Sequence, residues 1–165
     1  MSLFTDVDPY IKRAERACDV GPGIRPALFY KAPYHLCIEP HKEYADWLEV
    51  HGYPVDRRSG RDALREYERF GVIFMLDVIE HMEKEEGWET LRLARQKADQ
   101  VVVFTPLGFH EQSYKEGEKD AWGMNGTYWQ THRSGWVPGE FPDARIFADP
   151  VFHGSYGAFF ALFGA

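Results

Sequence analysis

The sequence is short of cysteine, with only Cys18 and Cys37 among 165 residues. A small secreted domain stapled by disulfides usually carries more, so a reducing cytoplasm is the expected setting. Both cysteines fall in short apolar segments expected to be neighbouring strands, where free thiols act as small buried hydrophobes. No apolar run approaches the roughly 18 residues of a membrane span, so none is expected. The opening MSLFTDVDPY has no basic stretch followed by an apolar core, so no signal peptide is expected. Positive charge is also scarce: 19 Lys and Arg stand against 26 Asp and Glu, for a net charge of -7. A protein that grips nucleic acid through its phosphates needs the reverse balance, so no nucleic-acid partner is expected. Arg57, Arg58 and Arg61 form a local basic group that reads as a solvated loop. Internal repeats and low-complexity tracts are missing too.

What remains is a chain able to build a core, at 44% hydrophobic and 16% aromatic residues. Its length suits a single domain over 1–165. Residues 5–16 predict a short helix, with Pro9 at a first helical position. RACDVG then predicts a strand, PALFYKA one or two helical turns opened by Pro26, and YHLCIEP a second strand stopped by Pro40. HKEYADWLEVHG (41–52) has helical spacing and ends on Gly52. YPVDRR predicts a weak third strand and DALREYERF a further helical turn or two. GVIFML (71–76) is a continuous apolar run, as expected of a strand buried on both faces. A charged helix over 83–98 and the strand QVVVFTP (100–106) follow, although Gly87 sits awkwardly in that helix. Residues 105–143 show no convincing period, and so long a stretch is usually functional. The strands 144–149 and 156–165 close the chain.

Alternating strands and helices predict a Rossmann-like α/β fold, a doubly wound, mostly parallel sheet between helix layers. The last two strands have too short a connector for a crossover, so they should form an antiparallel hairpin. Doubly wound sheets bind ligands beyond the carboxyl ends of their strands. Chemistry is therefore expected just after Asp19, Glu39, Leu76 and Phe104.

The first of these positions opens DVGPGIRPALF (19–29). Its glycines let backbone approach a ligand, although a plain turn is an equal alternative. A third glycine of the dinucleotide type is missing, since Arg25-Pro26 follows, and Pro22 and Pro26 remove donors that a pyrophosphate would use. Glu39 ends the second strand, where a carboxylate can hold a ribose diol or simply lie at the surface. Together the turn and the acid point to a cofactor containing adenosine.

The blocks DVGPGIRP, IEP, RDAL and above all LDVIEHMEKEEG…VVVFTPLGF resemble the class I S-adenosylmethionine-dependent methyltransferases, from about residue 14 to the end of the chain. The resemblance implies a seven-stranded sheet in the order 3-2-1-4-5-7-6, a three-layer sandwich, and S-adenosylmethionine as cofactor. By this resemblance Asp19, Gly21 and Gly23, with Pro22 between them, line the methionine part. Glu39, followed by Pro40, holds the ribose hydroxyls. Asp62, with Ala63 beside it, reads the adenine amino group. Leu76 and Asp77 contact the methionyl amino end and face the methyl group. Arg25 replaces a residue that is usually small, and could pair with the cofactor carboxylate.

An acidic site suits a sulfonium ion better than a pyrophosphate. Methyl transfer is a direct displacement that needs alignment first, and a base only where the nucleophile must lose a proton. Candidates for that base are His81, in DVIEH; His110, beyond the fifth strand; and His132, in WQTHRSGW. Each has a structural alternative as a cap or packing residue, and His153 in the hairpin connector is expected to be structural. No metal site is expected, because the histidines lack helical or zinc-finger spacing and the cysteines lie far from them. Trp122, Tyr128, Trp129 and Trp136 are expected to wall the acceptor side, with Arg133 meeting an acidic group, unless these aromatics form a satellite core. The expected activity is methyl transfer to oxygen or nitrogen of a small molecule. A non-catalytic cofactor-binding module of the same fold is the alternative, and a nucleotide-dependent oxidoreductase a more distant one.

Overall fold

The computed structural model describes residues 2–164; Met1 and Ala165, the ends of the expected domain and of the strand expected over 156–165, lie outside them. Five strands run parallel: β1 (Arg16–Val20), β2 (Tyr34–Ile38), β3 (Val55–Asp56), β4 (Phe70–Leu76) and β5 (Ala98–Pro106). β6 (Arg145–Asp149) and β7 (Ala158–Phe163) form the closing hairpin, and β7 lies antiparallel between β5 and β6. The sheet order is β3-β2-β1-β4-β5-β7-β6, as the resemblance implies. Every residue of β7 is buried, as is all of β5 except Asp99. That is why these segments carry apolar runs in place of alternation.

On one face, α3 (Gly60–Leu64) and α4 (Lys84–Lys97) bring Leu64, Leu91 and Ala94 into a core with Ile73, Met75, Val101 and Val103. Gly87 belongs in α4 because a side chain there would reach 2.6 Å from the Trp136 ring. On the other face α1 (Leu3–Val7) buries Leu3 and Val7 beside Val72, Phe74, Phe104 and Phe160. α2 (Lys42–Val50) joins β2 to β3, and α5 (Thr127–Gln130) interrupts the long segment before β6.

Two local expectations give way to tertiary hydrogen bonds. The helix expected over 5–16 instead starts at Leu3, where the Ser2 side chain caps the Thr5 N–H. It ends in a 3-10 turn at Asp8–Tyr10, because Pro9 has no N–H to continue the ladder. Beyond it the buried Gln100 amide takes the Lys12 N–H at 2.7 Å and donates to the Tyr10 carbonyl at 2.8 Å. The turns expected after Pro26 are irregular. Ala27 has φ of 55°, and its N–H goes to the Asp19 carboxylate at 3.0 Å. The Ala32 N–H goes to His35 Nδ1 at 3.1 Å. The two-sided layering holds, but this face is covered by one short helix and an irregular segment whose Phe29 and Tyr30 pack on Phe74.

Phe160 tests this thinner face. It is fully buried, with ring centroids 4.6 Å from Phe104 and 5.0 Å from Phe4. Phe160→Ala should cost about 3–5 kcal/mol in urea denaturation. Val50→Ala, on the exposed side of α2, should stay within about 0.5 kcal/mol. Equal losses would show that Phe160 is not a core residue of this kind.

Candidate active site

A cavity of about 840 Å3 opens beyond the carboxyl ends of β1, β2 and β4. Its floor is the glycine turn. Gly21 and Gly23 have φ of 63° and 58°, values that glycine adopts without strain. The Gly21 N–H extends the sheet to the Ile38 carbonyl at 2.8 Å. A side chain on Gly21 would collide with Val78, and one on Gly23 with the Trp122 ring. Pro22 and Arg25 also line the space. Asp19 does not: its carboxylate is bonded to His35 Nε2 at 2.6 Å and to the Ala27 N–H, inside the protein. Since His35 Nδ1 accepts the Ala32 N–H, Nε2 carries the proton and donates.

Glu39 faces the cavity at the end of β2, with Pro40 next to it. Its two carboxylate oxygens accept the Gly23 N–H at 2.9 Å and the His41 N–H at 3.0 Å. Burial pushes its pKa up to about 7, against the pull of those two donors. Each oxygen keeps a second lone pair for a ligand. Asp62 and Ala63 stand outside the cavity. The Asp62 carboxyl takes the Ser59 hydroxyl at 2.9 Å, Ala63 is core, and Ser59 and Gly60 form the wall instead.

Beyond β4, Leu76 and Asp77 line the cavity. Asp77 has φ of 50°, and its N–H is held by the Phe104 carbonyl at 2.9 Å. Its neighbour Glu80 is buried and accepts the Thr105 hydroxyl at 3.0 Å. Burial, then the adjacent Asp77 charge, push the Glu80 carboxyl well above its usual range. Burial raises Asp77 too, while Glu80 and the Arg25 charge hold it back.

The far wall comes from residues 120–133, organised by Asp120, which the sequence did not single out. Its carboxylate accepts the Trp122, Met124 and Gly126 N–H groups at 2.9 Å each and the Tyr44 hydroxyl from α2. Burial opposes the charge, but these donors outweigh it and hold Asp120 below the usual carboxylate range. Trp122, Tyr128 and Trp129 reach the cavity. Trp136 does not; it is a core residue packed on Trp88 and Phe141, which corrects its expected place in the acceptor wall. Arg133 lines the cavity while donating to the His81, Thr131 and Tyr128 carbonyls at 2.8–3.1 Å.

Solved structures similar to the whole chain share its fold. A SAM-dependent methyltransferase from Archaeoglobus fulgidus aligns with a TM-score of 0.65 at 12% identity, over 96% of this chain and 90% of that one. The methyltransferase domain of a bacterial CtHen1-CN aligns at 0.59 and 14%, over 99% and 94%. The N-terminal domain of EvdMO1 with SAH bound aligns at 0.62 and 12%, over 98% and 78%. The fold is that of the class I S-adenosylmethionine-dependent methyltransferases. No family model matches the sequence, and no curated protein matches it.

Within the methyltransferase fold, the cavity gathers Gly21, Pro22, Gly23, Glu39, Pro40, Leu76, Asp77, His81, Trp129 and Arg133 of the residues marked from sequence. His110 and His132 lie behind its wall. His110 bonds the Leu107 carbonyl at 3.0 Å and stacks on Tyr156. His132 Nδ1 donates to the His110 carbonyl at 2.7 Å. His153, expected to be structural, reaches the cavity. Asp120→Ala strips partners from four donors, so it should destabilise the chain by about 1–3 kcal/mol or more. Limited proteolysis should then cut first within 115–131; an unchanged cleavage pattern would remove Asp120 as the organiser of that wall.

Proposed function

We propose that the chain binds S-adenosylmethionine in this cavity and transfers its methyl group to oxygen or nitrogen of a small-molecule acceptor. The observation that carries the reading is the hydrogen bond from the Gly23 N–H to Glu39. It joins the turn after β1 to the acid after β2 at the mouth of the sheet. Bound SAH in the similar EvdMO1 domain supports the same ligand here.

In this reading the backbone of Gly21, Pro22 and Gly23 borders the methionyl chain, and Arg25 pairs with its carboxylate. Glu39 accepts from the ribose diol through its remaining lone pairs, with Pro40 against the sugar. Leu76 and Asp77 flank the sulfonium and the amino group, where a carboxylate favours positive charge. Asp19, Asp62 and Ala63 act as positioning residues beneath this surface. Trp129 and Arg133 shape the acceptor side. His81 is the side chain placed to take a proton from the acceptor. Burial, then the neighbouring His132, lower its pKa to about 4, so it is neutral at pH 7 with a free lone pair. His110 and His132 hold its surroundings.

Calorimetry with S-adenosylhomocysteine and with NAD tests the cofactor; binding of NAD alone would overturn the reading. Turnover with an acceptor panel then separates an enzyme from a cofactor-binding module. Glu39 gives the pH dependence. Its pKa is near 7 in the free protein, and diol donors favour its charged form, so binding expels a proton. Affinity for S-adenosylhomocysteine should rise up to about tenfold per pH unit below pH 7 and level off above it. Glu39→Gln should flatten that profile, and a profile unaltered in the variant removes Glu39 from the ribose site. Arg25→Ala should weaken binding by about 1.5–3 kcal/mol; unchanged affinity excludes the proposed carboxylate contact.

A further inference from the structure

Glu80, His81 and His132 bring one carboxylate oxygen and two imidazole nitrogens within 4.8 Å of one another. Sequence spacing argues against any metal site, because His81 and His132 belong to distant segments. The fold removes that objection. The Glu80 carbonyl accepts the N–H groups of Arg133 at 2.7 Å and Ser134 at 3.1 Å, and the Ser134 hydroxyl donates to the Ile79 carbonyl at 2.9 Å. Three hydrogen bonds therefore pin the segment carrying His132 onto the turn carrying His81.

The ring nitrogens are oriented as well as gathered. His132 Nδ1 faces the His110 carbonyl at 2.7 Å, and His81 Nδ1 faces the Thr131 carbonyl at 3.3 Å. A carbonyl only accepts, so each Nδ1 carries the proton and each Nε2 keeps its lone pair. Metal-binding histidines are oriented in this way by a carbonyl on the opposite nitrogen. His81 Nε2 stands 3.8 Å from Glu80 Oε1. That is too long for a hydrogen bond. It suits two ligands of one ion, since bonds of about 2.0–2.2 Å put neighbouring ligand atoms roughly 3–4 Å apart. The other oxygen of Glu80 is held by the Thr105 hydroxyl.

We propose that Glu80, His81 and His132 form a binding site for a divalent transition-metal ion at the wall of the cavity. Two imidazoles and one carboxylate suit zinc, cobalt, manganese or ferrous ions over magnesium or calcium. His81 borders the cavity, so the ion has an open side toward the acceptor. With the ion bound, His81 is a ligand in place of a base: the ion would bind an acceptor hydroxyl and lower its pKa, with the proton leaving to water. The resulting oxygen anion forms the new C–O bond as the methyl–sulfur bond breaks and sulfur keeps the electron pair. That use of the ion rests on the methyl-transfer reading; the ion site does not.

The test is titration of the chelator-treated full chain with Co2+, read by visible absorption and calorimetry. One equivalent should bind, with absorption bands of nitrogen–oxygen ligation. His132→Ala and His81→Gln should each lose more than about tenfold in affinity, of the order reported for disturbed ligand surroundings. His51→Ala, on the distant exposed end of α2, should retain it. The Gln variant keeps a donor for the Thr131 carbonyl, so it separates ligand loss from misfolding. Absence of saturable Co2+ binding to the native chain at millimolar concentration overturns the site. So does native affinity in His81→Gln and His132→Ala when circular dichroism shows both folded. Loss of S-adenosylhomocysteine binding with Co2+ binding intact would sink the cofactor reading and leave the ion site standing.

Discussion

The carbonyl of Glu80 ties the long segment after β5 to the sheet. It takes two N–H groups from Arg133 and Ser134, residues that the chain reaches only after a long excursion beyond β5. Apart from the bridges of Leu107 and Gly108 to Trp136, no strand pairing fastens that excursion to the sheet among the described residues. With the contact in place, Arg133 can donate to the His81 carbonyl, Ser134 can donate to the Ile79 carbonyl and accept the Trp136 indole N–H, and Trp136 can enter the core over Gly87. A buried carbonyl has to be satisfied. Here a distant loop satisfies it, and so a turn of the sheet fixes the position of the cavity's far wall.

A second link joins that wall to the glycine turn. The Trp122 ring rests where a Gly23 side chain would be, and its edge meets Tyr44, whose hydroxyl reaches Asp120. Gly23 in turn donates to Glu39. One connected path therefore runs from the acid after β2, through the turn after β1, to the organiser of the 120–126 loop. Ligand that touches the face of Gly23 touches a surface that Trp122 also shares.

Much of the fold was legible because the sheet is buried on both sides. The continuous apolar runs of β4, β5 and β7 have no reading at a surface, and Pro106 ends β5. Glu39 and Asp77 were legible for a related reason: an acid directly after an apolar strand falls at the mouth of a parallel sheet. Other features carried no local mark. Asp120, Gln100 and His35 are buried polar residues that each have a partner far away in sequence (Tyr44, Lys12 and Asp19), and an isolated polar residue in a chain reads as solvated. Trp136 was misplaced because a tryptophan in an irregular stretch looks the same whether it walls a cavity or fills a core. The cluster of His81 and His132 was hidden by the same blindness to loop closure.

The connection between β1 and β2 shows how such pairs arise. A helix there would satisfy its own backbone and cover the sheet. The irregular segment 24–33 covers the sheet with Phe29 and Tyr30 but does not satisfy its own backbone, so side chains take over: Asp19 receives the Ala27 N–H, His35 receives that of Ala32, and the Tyr30 hydroxyl reaches the Lys12 carbonyl at 2.6 Å. Asp19 and His35 then bond each other in full burial. A buried pair of this kind adds little net stability once desolvation is counted, but losing one partner strands the other. It therefore fixes one path for the segment more than it strengthens the fold. Committing Asp19 to this duty removes it from the cavity. The surface offered to a ligand at the end of β1 is accordingly without a carboxylate, made of Val20 and the turn Gly21–Gly23, and the carboxylate beside it is the one that Glu39 supplies from the neighbouring strand.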